Sequence, residues 1–255
     1  MKIAVCIPTH SDIKAWFGHD LAHLVGYYCC APYKEGSSIR LIMTQSSILP
    51  SARHDLVKSA LSFDATHILW LDADMRFPKD TLHRLLAHDK DMVLANYVTR
   101  KMPIVPVCQD LERKRVDSRN KTGLEEIYHG GLGVCLMKTD VIKKMEPPYF
   151  MFGFTPSGKF VGEDVYFMHK ARGLGYQLWV DHDLSNEVSH LGDYEYDMQT
   201  LPDWEFESLS RPPIAEEFGN RGAGTGNGNG ADPGPHNGNV GAGVGLPGDS
   251  VRPAV

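Results

Sequence analysis

The sequence predicts an α/β fold: a mixed, mainly parallel sheet flanked by helices. Three observations predict it. Short apolar runs alternate with segments of helical spacing over the first hundred residues, the pattern of strands joined through helices. The runs at 2–7 and 67–71 are apolar almost throughout, as strands covered on both faces are. Each run then breaks into polar residues, Thr9-His10 after the first and Asp72-Ala73-Asp74 after the other. That places chemistry-bearing side chains at the carboxyl ends of strands, where open parallel sheets gather their ligands.

The elements follow in order. A first strand, 2–7, ends at Pro8-Thr9-His10, and a helical mixture occupies 20–30. A second strand covers 39–43. Pro50-Ser51 precedes a helix over 52–61, with Ala52, Leu56, Ala60 and Leu61 at helical spacing and Ser51 as its N-cap. The third strand, 67–71, runs into Asp72. Pro78 opens another helix, with Leu82, Leu85 and Leu86 on one face. A fourth strand covers 92–97. Residues 126–138 read as strand, turn and strand around Gly130-Gly131 and Gly133. A helix over 164–172 is stopped by Gly173 and Gly175, and a last strand covers 177–180.

Composition divides the chain. Residues 219–255 hold 12 Gly and 4 Pro among 37 residues, with no Phe, Trp or Tyr. Such a stretch cannot bury enough apolar surface to offset its ordering entropy, so it reads as a disordered tail behind a domain spanning 1–218. The tail's two arginines balance its two aspartates, which leaves the net charge of −6 on the domain. A mildly acidic body argues against bulk electrostatic binding of nucleic acid. No run reaches the length of a membrane span. Five cysteines, Cys6, Cys29, Cys30, Cys108 and Cys135, form no disulfide or metal spacing, which fits a cytoplasmic setting.

Five constellations could carry chemistry. Asp72 and Asp74, two apart on an extended segment, point the same way from a sheet rim. Repelling carboxylates there call for a hard cation such as Mg²⁺ or Mn²⁺, which also binds phosphate oxygens; a strand end that merely turns polar is the alternative. Gly162-Glu163-Asp164 opens a helix, whose dipole favours first-turn acids and keeps Asp164 ionised, so the pair is either a simple helix start or a general base with its neighbour. His190 is a metal ligand or an ordinary packed histidine. Gly131 and Gly133 allow close backbone approach to a ligand, or make a hairpin turn. Arg53 can fork onto phosphate oxygens or lie solvated on its helix.

Taken in order, Ile7-Pro8-Thr9, Ser51-Ala52-Arg53, Leu71-Asp72-Ala73-Asp74, the Gly131/Gly133 turn, Gly162-Glu163-Asp164 and His190 resemble the GT-A-fold glycosyltransferases, especially family-2-like enzymes encoded by tailed bacteriophages. The resemblance covers about residues 1–195. It implies a nucleotide-sugar donor, UDP-sugar favoured, and Mn²⁺ or Mg²⁺. It implies that Pro8 and Thr9 lie beside the nucleoside, that Arg53 helps hold the nucleotide, and that Asp72 and Ala73 face the donor with Gly131 and Gly133. Asp74 and His190 would ligate the metal, Asp164 would be the base of an inverting enzyme, and Glu163 would hold the acceptor. The second strand ends in Met43-Thr44-Gln45-Ser46, without the acidic residue that often reads the base.

Two other readings share these features. One is a Mg²⁺-dependent phosphatase or phosphotransferase with a DxD aspartyl nucleophile; the other is a non-catalytic nucleotide-sugar-binding module. The acceptor is open among a modified DNA base, a glycan, a protein and a small molecule. The locally basic stretch 112–121 is an exposed loop that could contact DNA.

Overall fold

The computed structural model describes residues 1–33, 35–100, 102–155, 157–158, 160–192 and 195–200, with the backbone alone at 195 and 196. Two units divide the chain, Met1–Leu209 and Ser210–Val255; the account below concerns the first. The expected boundary at 218/219 and the tail 219–255 lie outside the described residues.

In chain order the elements are β1 (Lys2–Thr9), α1 (Ala15–Cys29), β2 (Ser38–Gln45), α2 (Leu49–Ser62), β3 (His67–Leu71), β4 (Met75–Arg76), α3 (Thr81–Ala87) and β5 (Met92–Ala95). Then come β6 (Leu124–Ile127), β7 (Val134–Lys138), α4 (Thr139–Lys143), β8 (Gly153–Phe154), β9 (Phe160–Val161), α5 (Glu163–Gly173), β10 (Leu178–Asp181), α6 (His182–Ser185), β11 (Ser189–Leu191) and β12 (Glu195–Tyr196). Seven strands form the main sheet in the order β2-β1-β3-β7-β5-β10-β6. The pairs β1/β2, β1/β3 and β5/β10 are parallel, while β7 and β6 run against their neighbours. Five of the seven strands therefore share one direction, as a mainly parallel sheet requires.

Strand alternation builds two cores. Ala4, Cys6, Ile68 and Trp70 face Leu56, Val57 and Ala60 of α2 and Phe167, Met168 and Ala171 of α5. Ile3, Val5, Leu69 and Leu71 face the opposite way, onto Phe17, Leu21 and Leu24 of α1 and Leu82 and Leu85 of α3. Both faces are covered, which is why β1 and β3 lack polar alternation.

Several boundaries differ from the sequence reading. The second helix begins at Leu49 with Pro50 in its first turn, so Ser51 is inside the helix and Ile48 stands at the N-cap without a side-chain bond. Pro suits that position because a first-turn N–H has no intrahelical partner. The expected strand–turn–strand at 126–138 is no hairpin: β6 pairs with β10, whereas β7 inserts between β3 and β5. The fourth strand ends at Ala95, and the chain turns at Asn96, whose buried amide donates to Val116 O and Ser118 Oγ while its Oδ1 accepts from Cys108 N–H.

Candidate active site

The DxD segment lies between β3 and β4 in a turn, closed by a Met75 N–H to Asp72 O bond of 3.1 Å, and is not extended. Four backbone bonds hold it. Besides the turn bond, Asp72 N–H donates to Gly133 O at 3.0 Å, Lys14 N–H to Ala73 O at 3.3 Å, and Leu191 N–H to Asp74 O at 2.7 Å. Because the segment turns, its two carboxylates meet different basic side chains, where an extended segment was expected to point them the same way. Asp72 accepts from Arg53, and Asp74 meets Arg100 and His190.

Arg53 leaves α2 for the interior. Its Nε donates to Glu163 Oε1 at 3.1 Å and its Nη2 to Asp72 Oδ1 at 2.9 Å, over the Trp70 ring. The residue is only 2 % exposed, which overturns the solvated alternative and puts its guanidinium behind the rim. Burial works against its charge, but Asp72, Glu163 and Asp164 keep it firmly protonated. Glu163, also buried, is thereby tied to Arg53 through Oε1.

Asp164 follows at the start of α5. The helix dipole was expected to keep it ionised. Burial, then the charges of Glu163 and Asp72, push its carboxyl up to about 6, against the opposing pull of the Val165 N–H and Arg53, which still leaves it mostly ionised at neutral pH. Its Oδ1 accepts that N–H at 2.7 Å. A Cβ at residue 162 would fall 2.8 Å from the same oxygen, so Gly162 gives the carboxylate its room. A half-buried carboxyl poised near neutrality is the state a general base needs.

His190 reaches Asp74 through strand pairing. In the small sheet β12-β11-β4, His190 is in register with Met75 and Ser189 with Arg76. Its Nδ1 lies 3.0 Å from Val98 O, a carbonyl that can only accept, so Nδ1 carries the proton. Nε2 is left turned to Asp74 Oδ1 at 3.5 Å. Burial pushes the Asp74 carboxyl upward, but His190 and Arg100 outweigh it and hold the group below its ordinary value.

Among the described residues no cluster of three or more His, Cys, Asp and Glu side chains could hold a metal unaided. Asp74 and His190 nevertheless fit Mn²⁺ or Mg²⁺ as a two-ligand site, because the Val98 carbonyl engages Nδ1 and leaves Nε2 facing Asp74. Such ions routinely take one or two protein ligands and complete their shell with phosphate oxygens and water.

The loop after β5 supplies what the sequence reading missed. Residues 96–100 and 102–107 pair through Thr99 N–H to Val105 O and Val107 N–H to Tyr97 O bonds. The loop contributes the Val98 carbonyl, the Arg100 guanidinium and Tyr97. The buried Tyr97 hydroxyl accepts the Gly133 N–H at 3.2 Å, and its ring meets His190 edge-on. Burial, then Asp72 and Asp164, raise the phenol far enough that it stays protonated. Gly131 and Gly133 exist for this tyrosine: a Cβ would fall 2.0 Å from Tyr97 Oη at residue 131 and 2.9 Å from its Cζ at residue 133. The signal for the loop was its place at the carboxyl end of a parallel strand.

At the ends of the neighbouring strands, Pro8 is buried and Thr9 Oγ1 donates to Thr44 O at 3.0 Å, joining the ends of β1 and β2. The basic stretch 112–121 is engaged internally. Arg113 stacks on Tyr128, Arg115 donates to the Pro106 and Val107 carbonyls, Arg119 pairs with Asp117, and Lys114 and Lys121 pair with Glu112 and Glu125. No described helix is long and apolar enough to cross a membrane.

No protein-family model and no curated protein matches the chain. Among solved structures, A197 from STIV superposes with a TM-score of 0.52 at 16% identity, over 76% of this chain and 87% of that one. TarS 1–349 from S. aureus gives 0.41 at 19% identity, covering 72% of this chain and 58% of its own. The likeness to A197 is one of fold, the mixed α/β architecture with a mainly parallel sheet that the GT-A resemblance implies.

Proposed function

We propose that this chain transfers a glycosyl group from a nucleoside-diphosphate sugar, a UDP-sugar in the first instance, to an acceptor hydroxyl. The observation that carries the reading is convergence. The DxD turn, His190 and the Glu163-Asp164 helix start are far apart in sequence, yet they join one hydrogen-bonded and ionic cluster at the strand ends.

Each residue has a part in that chemistry. Asp74 and His190 would hold a divalent ion, which when bound neutralises charge developing on the departing diphosphate. Asp164 takes the proton of the acceptor hydroxyl as the new glycosidic bond forms. With its carboxyl near 6 it is mostly ionised at neutral pH and a far better acceptor than an ordinary aspartate. Arg53 fixes Asp72 and Glu163 in place by its ion pairs, and the negative charge of those two raises the basicity of Asp164. An aspartyl phosphotransferase would need an unencumbered nucleophilic carboxylate. Asp72 and Asp74 are each held by an arginine, which favours binding roles for both.

The test is a donor screen with UDP- and GDP-sugars and Mn²⁺, reading nucleoside diphosphate release. Metal-dependent release from one donor, lost in Asp74→Ala, is expected. Phosphate release from a generic phosphoester without nucleotide sugar would oppose the proposal, as would nucleotide binding with neither hydrolysis nor transfer.

A further inference from the structure

Asp74 meets two basic side chains. Its Oδ1 lies 3.5 Å from His190 Nε2, and its Oδ2 lies 2.9 Å from Arg100 Nη1. The same Nη1 donates to Leu191 O at 3.1 Å. Arg100 sits on the turned loop, whose neck is fixed by the Thr99 N–H to Val105 O bond and a 3.2 Å Val105 N–H to Thr99 Oγ1 bond. Its side chain is 42 % exposed, so it can swing without disturbing any core. A divalent ion on Asp74 and a guanidinium against the same carboxylate repel one another. A diphosphate arriving with the ion brings several anionic oxygens, and the planar fork of an arginine matches them.

We propose that Arg100 is an exchange residue: in the free chain its guanidinium is the cation on Asp74, and on loading it yields that carboxylate to the divalent ion and binds the donor's diphosphate. This rests on the reading of the site as one for a nucleoside diphosphate. It assigns Arg100 opposite effects on two ligands. The arginine competes with the metal and recruits the phosphates, whereas a residue that merely braced the loop would weaken both.

The experiment separates the two arms. Mn²⁺ binding to the full chain is measured without nucleotide, from the electron paramagnetic resonance signal of free Mn²⁺. UDP binding, with GDP in parallel, is measured by calorimetry at saturating Mn²⁺. Removing an exposed ionic competitor in Arg100→Gln should tighten Mn²⁺ about two- to fivefold. Losing a charge-assisted bond to phosphate should weaken the nucleotide about tenfold or more. Arg100→Lys should fall between wild type and Gln in both, and Asp74→Asn should abolish Mn²⁺ binding. Mn²⁺ bound by Arg100→Gln but not by wild type would also support exchange. Unchanged or weakened Mn²⁺ binding in Arg100→Gln overturns it. So does UDP binding that needs Arg100 but no Mn²⁺, since the guanidinium would then replace the metal permanently. If neither UDP nor GDP binds any variant, the diphosphate half falls together with the donor reading, while the Mn²⁺ arm still decides the competition.

Discussion

Replacing Asp164 by Asn should make the protein more stable and nearly inactive. In the unfolded chain this carboxyl ionises near 3.8, and in the folded chain near 6. Between those values the folded protein holds a proton that the unfolded chain has released. Stability therefore falls as pH rises through that window, and the penalty stays in full above it. At about 1.4 kcal/mol per pH unit the displacement corresponds to roughly 3 kcal/mol. The side chain is only half-buried, and solvent screening brings the expected gain of the Asn variant to about 1–2 kcal/mol. Asn keeps an oxygen for the Val165 N–H and drops the repulsion with Glu163 and Asp72. For a domain of this size the gain is a rise of about 2–8 °C in melting temperature. It should appear at pH 8 and vanish near pH 4, measured without metal. Transfer should drop by about 10²–10⁴-fold, with metal and nucleotide binding retained. In the wild type, transfer should rise with pH through about 6. A variant no more stable at pH 8, or equally stabilised at pH 4, refutes the electrostatic argument. Near-normal transfer refutes the base assignment and favours a retaining mechanism.

Arg53→Leu leaves Glu163 and Asp72 without their shared cation and should cost about 3–5 kcal/mol in urea unfolding, with Arg53→Lys recovering part of it. Gly131→Ala drives a methyl group into the Tyr97 hydroxyl and should cost at least about 1 kcal/mol; adding Tyr97→Phe should return some of that melting temperature, because the atom met at 2.0 Å is then gone. Asp74→Ala should abolish metal-dependent donor hydrolysis while shifting stability by no more than about 1 kcal/mol, since a rim ion pair contributes little to folding. Cutting the chain after Phe218 should leave melting temperature and donor turnover nearly unchanged, on the composition of the segment removed.

What could be read from the sequence was whatever leaves a local pattern. The unbroken apolar runs of β1 and β3 encode strands covered on both faces, and the polar residues just after them mark the rim. The acidic start of α5 is likewise visible, because first-turn carboxylates are a local feature of helices. The role of Arg53 was not legible. Its position on α2 gives spacing, but its neutralisation of Asp72 and Glu163 depends on packing α2 and α5 against the same face of the sheet. Arg100 was missed for a related reason: it lies in a loop without periodicity, and its partner is set by the Thr99 N–H to Val105 O and Val107 N–H to Tyr97 O bonds that position it.

Gly131 and Gly133 show how the two kinds of information combine. Read alone, they permit either a hairpin or a close approach to a ligand. The structure gives a third cause, a tyrosine from another strand end pressed against their backbone. That packing has a chemical consequence. Tyr97 accepts from Gly133 N–H, and Gly133 O accepts from Asp72 N–H, so two successive hydrogen bonds tie the phenol to the first aspartate of the DxD turn. The same ring braces His190, whose imidazole faces the second aspartate. The missing Cβ atoms are therefore part of the site, since a side chain at either glycine would displace the tyrosine that holds both aspartates in register.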